Sequence, residues 1–160
     1  FTGINYDHKK FQIHLFGAVD DLWVDLDSEE LIVVDYKATS KLEDVSIDAD
    51  WQISYKRQME FYQYLLRKNN FKVSDTGYFV YCNGIKDEMV KERLNFKVSL
   101  LPYKGNDSWI EDTLYESSGG GKRKASNIQS YAVFILESVC PPKWPKIGEH
   151  AISNITRLNI

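Results

Sequence analysis

The positions of apolar residues predict a β-hairpin near the start of the chain. Residues 11–26 and 31–37 are rich in β-branched, aromatic and aliphatic side chains, and the polar stretch 27–30 between them is typical of a turn. Residues 31–34 are apolar at four successive positions, which indicates a strand that is covered on both faces. The expected hairpin therefore has a four-residue loop, and its second strand lies in the interior of a sheet.

Apolar residues spaced three and four apart predict an amphipathic helix from Trp51 to Lys68. Asp48 or Asp50 is expected to cap its start, and Asn69-Asn70 to end it. The predicted inward stripe consists of Trp51, Tyr55, Gln58, Met59, Tyr62, Leu65 and Leu66, and the remaining polar positions include Lys56, Glu60, Gln63 and Arg67. Gln58 is unusual on this stripe, because a buried amide needs hydrogen-bond partners.

The remaining apolar patterns predict two more strands and two more helices. The strands are expected at 76–82 and 90–103, and the helices at 109–115 and 127–139. Asn83-Gly84 is expected to form the turn between the two strands. The apolar face of the second strand is expected at Leu94, Phe96, Val98 and Leu100. Asp107 or Ser108 is expected to begin the first helix, and the segment from Pro145 to be ordered but irregular.

Charged side chains at the ends of the predicted hairpin suggest a site. If Leu26 opposes Leu31, then Asp20 opposes Lys37, and the alternation of side chains puts Asp20, Asp35 and Lys37 on one face. In that register Asp20 contacts Lys37 and can share one cation with Asp35. Two carboxylates can hold a hard divalent cation, and an ammonium can stabilise charge that develops on a phosphate. The arrangement is what metal-dependent phosphodiester cleavage requires.

The same charges also have an ordinary interpretation. Asp20 and Lys37 could form a surface pair across two strands, and Asp35 could simply end its strand. A charge that ends a strand covered on both faces is costly unless it is used, however, and this favours the functional interpretation.

In three of its motifs the chain resembles the RecB-type nuclease domain of the PD-(D/E)XK superfamily. The resemblance rests on Gly17-Ala18-Val19-Asp20, on Asp35-Tyr36-Lys37, and on residues 58–62, which look like the motif Q-x-x-x-Y. Residues 76–81 look like the strand that follows in the family. The resemblance implies an α/β fold with a restriction-endonuclease-like core, in which a mixed central β-sheet is flanked by α-helices. It also implies action on DNA with Mg²⁺ or Mn²⁺.

The resemblance further implies a role for each residue of the three motifs. Metal ligands would be the carboxylates of Asp20 and Asp35 and the main-chain carbonyl of Tyr36; Lys37 would lie beside the attacking water, and Gln58 and Tyr62 would complete the cleft. Many relatives carry a metal-binding histidine on a helix well upstream of the hairpin. His8 and His14 lie too near the hairpin to belong to such a helix. With only two cysteines, an iron–sulfur cluster is excluded within this chain.

Charge adds candidate contacts to DNA. The net charge of −3 requires that any positive surface be confined to the substrate groove. Lys41, Lys56 and Arg57 are candidates, although a solvated surface position explains each of them equally well. Lys122, Arg123 and Lys124 follow the polar, glycine-rich stretch 117–121, which can carry a basic cluster to a phosphate backbone.

Length and composition are those of one globular domain over residues 1–160, with 43% hydrophobic residues. Two cysteines and no signal peptide indicate an intracellular setting, cytoplasmic or nuclear, and no membrane segment is expected. A first residue other than Met suggests part of a longer protein, with a helicase or other domains as partners. Two functions remain open: a metal-dependent DNA nuclease, either exo- or endonuclease, and a nuclease-fold module that binds nucleic acid or a protein without cutting.

Overall fold

The computed structural model describes residues 3–85, 95–120 and 155–158, and at 119–120 and 155–158 it describes the backbone alone. Its elements in chain order are β1 (Ile4–His8), β2 (Ile13–Gly17), β3 (Asp21–Asp25), β4 (Leu31–Thr39), α1 (Ile53–Lys68), β5 (Thr76–Gly84), β6 (Phe96–Lys104), α2 (Ser108–Tyr115) and β7 (Ile155–Leu158). A 3₁₀ turn at Asp50–Gln52 leads into α1, and a short π-helical segment at Glu116–Gly120 follows α2.

The described strands form a mixed five-stranded sheet and a separate hairpin. The sheet order is β6-β5-β4-β3-β7, and β1 pairs with β2. Strands β4 and β5 run parallel, as do β3 and β7, whereas β3–β4 and β5–β6 are antiparallel. Helix α1 packs on β4, and α2 packs in a cluster with α1 and β2, so this architecture confirms the predicted α/β class.

The apolar strand β4 and the inward face of α1 form the centre of the core. Val33 and Val34 of β4 are fully buried, as the continuous apolar run predicts. Helix α1 packs closely on the strands because glycines face it: a Cβ on Gly17 would lie 2.8 Å from Cε1 of Tyr62. Gly77 makes the same close approach to Met59. The residues of this cluster are Val33, Met59, Tyr62, Leu66, Val73, Phe79 and Tyr81.

The predicted register of the hairpin is wrong by two residues. Val24, rather than Leu26, lies opposite Leu31, and Asp21 lies opposite Val34. The turn starts earlier than expected because the Asp25 carboxylate accepts the backbone N–H of Ser28 at 2.8 Å. A shift of two residues keeps every side chain on its predicted face. The predicted strand 11–26 is also divided into β2 and β3, with residues 18–20 between them.

Helix α1 has the predicted end but a different start. Neither Asp48 nor Asp50 caps it; instead the Gln52 side chain accepts the backbone N–H of Ala49 at 2.9 Å. Two polar residues expected on the outer sides, Glu60 and Gln63, are buried. The spacing of apolar residues did not show that Glu60 and Gln63 are buried, because the hydrogen-bond partners of these two residues come from later parts of the chain. Glu60 binds groups of β6 and α2, and Gln63 donates to backbone carbonyls before β5.

Two expectations about β5 and β6 are wrong. Asn83-Gly84 belongs to β5 and pairs with 96–97, so the connection lies farther along the chain. The predicted apolar face of β6 is exposed at Phe96, Val98 and Leu100, and the opposite face turns Leu101 and Tyr103 toward the core. Core contacts of an edge strand depend on what covers each face of the sheet, and alternation alone cannot identify the covered side.

Helix α2 begins where it was predicted, with Asp107 at the N-cap position. The predicted helix at 127–139 and the basic cluster 122–124 lie outside the described residues. The segment after Pro145 was expected to be irregular, whereas its described part, 155–158, is a strand. Within the part of the chain that the structure describes, no helix has both the length and the apolar character needed to cross a membrane.

Candidate active site

Strand β4 carries the two central side chains of the candidate site. Asp35 and Lys37 are two residues apart on the strand, so both side chains lie on the same face of the sheet. Asp35 is only 2% exposed. On the parallel strand β5, Phe79 lies opposite Asp35 and Tyr81 lies opposite Lys37. A carboxylate is thus placed in the interior of the sheet, with an ammonium next to it.

The closest ion pair of the site joins Lys37 to Asp35. Lys37 Nζ lies 2.5 Å from Asp35 Oδ2, and the lysine side chain is 15% exposed. The same ammonium lies 4.5 Å from the centre of the Tyr55 ring of α1, within the range of a cation–π contact. Lys37 was expected to contact Asp20; among the described residues it pairs instead with Asp35, two positions away on the same strand.

Asp20 joins the site from the connection between β2 and β3. Its Oδ2 accepts the backbone N–H of Tyr36 at 3.1 Å, which ties the exposed carboxylate to β4 beside Asp35. The Tyr36 side chain is half exposed, and its hydroxyl donates to Asp21 at 2.7 Å. The three predicted residues Asp20, Asp35 and Lys37 are thus brought together.

The Asp35 carboxyl is strongly perturbed. Burial raises the pKa of Asp35 to about 6, and the neighbouring Asp20 carboxylate raises this pKa further, while Lys37 acts in the opposite direction. Burial disfavours the charged form because water no longer solvates it, and a like charge has the same effect. A cation bound between the two carboxylates would relieve both costs.

The donor groups fit a hard divalent cation. Oδ2 of Asp35 is paired with Lys37, whereas Oδ1 has no hydrogen-bond partner among the described residues, although both oxygens are shielded from solvent. An oxygen in this state is costly unless another group coordinates it. Asp20 supplies a second carboxylate, and oxygen ligands are the kind that Mg²⁺ and Mn²⁺ prefer. Among the described residues no group of three or more His, Cys, Asp or Glu side chains is gathered, so the protein would supply few ligands.

Gln58 and Tyr62 lie one helical turn apart on α1. Gln58 is buried in α1 and donates its amide to the Tyr62 hydroxyl at 2.9 Å. The Tyr62 ring packs on Gly17, directly before the segment that carries Asp20. The amide and hydroxyl were expected to complete the cleft together; the structure joins them to each other, and their role at the site stays a prediction.

The described basic candidates each lie over an aromatic ring. Lys41 Nζ is 5.5 Å from the centre of a Trp51 ring, and Lys56 Nζ is 5.6 Å from that of Tyr103. Arg57 lies 4.9 Å from the Trp109 ring. The other three candidates, Lys122, Arg123 and Lys124, fall outside the described residues.

Three residues near the site escaped the sequence analysis. Asp21 holds the Tyr36 hydroxyl, Tyr55 contacts the Lys37 ammonium, and Trp51 is more than half exposed. Trp51 and Tyr55 were assigned to the buried stripe of the helix. Their spacing did contain a signal, because positions 51 and 55 continue the row of Gln58 and Tyr62 toward the start of the helix.

Comparison with known families decides the classification. A family model of the PD-(D/E)XK nuclease superfamily matches residues 1–134. The chain belongs to this superfamily. No curated protein and no solved structure matches the chain. Membership supports a nuclease-type fold and nucleic-acid binding, and the matched residues include the motifs at 17–20, 35–37 and 58–62.

Proposed function

We propose that the protein is a metal-dependent DNA nuclease that hydrolyses phosphodiester bonds at Asp20, Asp35 and Lys37. The observation that carries this proposal is the state of Asp35: a buried carboxylate beside a second carboxylate and an ammonium, with one oxygen that has no hydrogen-bond partner among the described residues. Such a cluster costs folding free energy, and cation binding with phosphate chemistry gives a reason for keeping it. The superfamily membership supports the same reaction class.

The carboxylates of Asp20 and Asp35 would hold Mg²⁺ or Mn²⁺, with the main-chain carbonyl of Tyr36 as a further ligand. A bound divalent cation supplies Lewis-acid stabilisation of the phosphate and lowers the pKa of coordinated water. The N–H bond from Tyr36 fixes the otherwise exposed Asp20 carboxylate against β4. This fixed position lowers the conformational cost of forming the site.

Lys37 acts on the water and the phosphate. Its ammonium is fixed by Asp35 and by the Tyr55 ring, and three N–H donors leave it capacity for further hydrogen bonds. A fixed positive charge in a shielded position stabilises the negative charge that develops on the phosphate. We assign Gln58 and Tyr62 as positioning residues, which fix the segment around Gly17 and thereby Asp20.

The decisive experiment compares cleavage and metal binding in the same variants. Supercoiled plasmid and end-labelled oligonucleotides are incubated with Mg²⁺, Mn²⁺ or a chelator. We expect wild-type cleavage with metal, and a loss of about a hundredfold or more for Asp35→Asn and Asp20→Asn. Asp112→Asn, on the exposed side of α2, is the matched control.

Calorimetric titration with Mn²⁺ separates the ion site from the chemistry. The wild type should bind the ion, and the Asp35→Asn variant should bind it much more weakly. Full cleavage by both aspartate variants beside an active wild type would refute the site. Binding of oligonucleotides without cleavage in either metal would favour a non-cutting module of the same fold. Appearance of nicked circles indicates an endonuclease, and release of end nucleotides alone indicates an exonuclease.

A further inference from the structure

A continuous series of aromatic and cationic side chains runs outward from the candidate site. Lys37 Nζ lies over the Tyr55 ring at 4.5 Å, and the Tyr55 ring meets Trp51 edge-on at 5.6 Å between centroids. Lys41 Nζ lies 5.5 Å from the centre of the Trp51 ring. The series starts at the ammonium that pairs with Asp35 and ends at a solvent-exposed indole.

Trp51 is both exposed and firmly held. The residue is 57% exposed, whereas its neighbour Gln52 is only 2% exposed. The Gln52 amide donates to the Ser46 carbonyl at 2.7 Å, and its oxygen accepts the Ala49 N–H at 2.9 Å. Residues on both sides of the tryptophan are therefore fixed before any ligand binds. A rigid aromatic surface loses little conformational entropy on binding.

The charges around Trp51 disfavour binding through phosphates alone. The exposed stretch 43–50 carries Glu43, Asp44, Asp48 and Asp50, and within the described residues Asp44 is the one of these that is paired with a lysine, Lys97 at 2.6 Å. A duplex presents mainly its phosphate backbone, whose attraction depends on Lys and Arg contacts. This surface instead offers an aromatic face with the Lys41 ammonium beside it. Such a face is suited to stacking on a base, which requires that the base be unpaired.

Building on the proposed nuclease function, we propose that Trp51, supported by Tyr55, is a stacking platform for an unpaired base close to the phosphate that is cut. The substrate class is then single-stranded DNA or a frayed DNA end. Lys41 contributes one phosphate contact beside the platform. An exposed tryptophan could also meet a protein partner, but the contact of its neighbour Tyr55 with Lys37 connects this ring to the candidate chemistry.

Binding without metal tests the platform independently of cleavage. The affinity of a short labelled oligothymidylate and of a duplex of equal length is measured by fluorescence anisotropy in chelator. Stacking on one aromatic residue contributes about 1–3 kcal/mol, so Trp51→Ala should weaken single-strand binding about tenfold. Trp51→Phe should restore most of that affinity, and duplex binding should change less than about twofold. Tyr115→Ala removes a comparably exposed aromatic side chain on α2 and serves as the matched control.

Salt dependence separates stacking from phosphate contact. Trp51→Ala should leave the logarithmic salt slope unchanged, whereas Lys41→Ala should reduce it by about 0.7 on a single strand. Equal losses for single strand and duplex, or no loss in Trp51→Ala, would overturn the platform. The latter result would leave the exposed ring to a protein partner. A selective loss in a protein that does not cleave would support the platform and refute the nuclease proposal. Cleavage by the wild type, without a selective loss of single-strand binding in Trp51→Ala, would support the nuclease proposal and refute the platform.

Discussion

The Lys37 ammonium lies between the buried Asp35 carboxylate and the Tyr55 ring. It was expected opposite Asp20, and that register was wrong because it depends on where the preceding turn begins. The turn begins at Asp25, whose carboxylate accepts two backbone N–H groups, and apolar periodicity carries no information about such local bonds. The common face of Asp35 and Lys37 could be predicted, since it depends only on the alternation of side chains along one strand.

The first residue-scale prediction concerns Lys37. Lys37→Ala should lower the single-turnover rate by about a hundredfold while changing DNA affinity only a fewfold, because the ammonium stabilises charge that develops during the reaction. Rate and affinity are measured separately, the latter in chelator. Lys9→Ala, at the exposed turn between β1 and β2, is the control. A large loss of affinity with an unchanged rate would make Lys37 a phosphate anchor only.

The second residue-scale prediction compares two strand glycines. A Cβ at Gly17 would lie 2.8 Å from Tyr62 and 3.0 Å from Leu65, whereas at Gly84 the nearest atom is 3.7 Å away. Gly17→Ala should therefore destabilise the protein by about 1–3 kcal/mol through overpacking, and Gly84→Ala should have little effect. Urea unfolding measures both. Equal free energies of unfolding for the two variants would show that α1 does not rest on Gly17 as described.

At the scale of elements, helix α1 shows what a periodic pattern leaves out. The apolar stripe correctly placed Met59, Tyr62 and Leu66 inside, but Glu60 was expected outside and is 6% exposed. Its carboxylate accepts the Tyr103 hydroxyl at 2.6 Å and the Trp109 indole N–H at 2.6 Å. Those donors lie more than forty positions later in the sequence. A polar residue with distant partners has no local signature.

The element-scale prediction follows from this buried carboxylate. Glu60 also accepts the backbone N–H of Asn106 at 3.1 Å, so it holds the connection between β6 and α2 against α1. Glu60→Ala should lower the free energy of unfolding by about 2–4 kcal/mol, because three donors lose their acceptor. Glu60→Gln should cost less, since one acceptor oxygen remains. Glu43→Ala in the exposed stretch before α1 is the control in urea titrations. A cost for Glu60→Ala no larger than for this control would contradict the role.

At the scale of the whole molecule, local elements were easier to predict than their pairing. The β3–β4 hairpin and helices α1 and α2 follow from nearby residues. The parallel pairing of β4 with β5, and the separation of β1–β2 from the main sheet, depend on which surfaces α1 covers. No short-range rule reports that arrangement. The superfamily motifs supplied part of the missing information, because they predict that a hairpin, a helix and a further strand follow one another along the chain.

A polar network joins three separate parts of the fold at Glu111. His8 of β1 contacts its Oε2 at 3.1 Å, while Tyr64 and Lys68 of α1 donate to its Oε1 at 2.9 and 2.6 Å. The N–H of Phe11 donates to Nδ1 of His8, so Nε2 carries the proton of the neutral ring and donates to Glu111. The carboxylate thus links the small hairpin, α1 and α2.

This network predicts how stability depends on pH. The hydrogen bond from Lys68, with weaker help from Tyr64 and His8, lowers the pKa of Glu111 to about 2, whereas an unfolded glutamate titrates near 4.5. The stabilisation is therefore fully present above about pH 5 and is lost as the pH falls toward about 2.

Because the Glu111 side chain is 44% exposed, Glu111→Gln should cost only about 1 kcal/mol at neutral pH. At about pH 2 and below wild type and variant should converge, since a protonated carboxyl resembles the amide. Urea midpoints at neutral and acidic pH measure this, with Asp112→Asn as control. A difference between wild type and Glu111→Gln that stays constant with pH would exclude the network as a source of acid sensitivity.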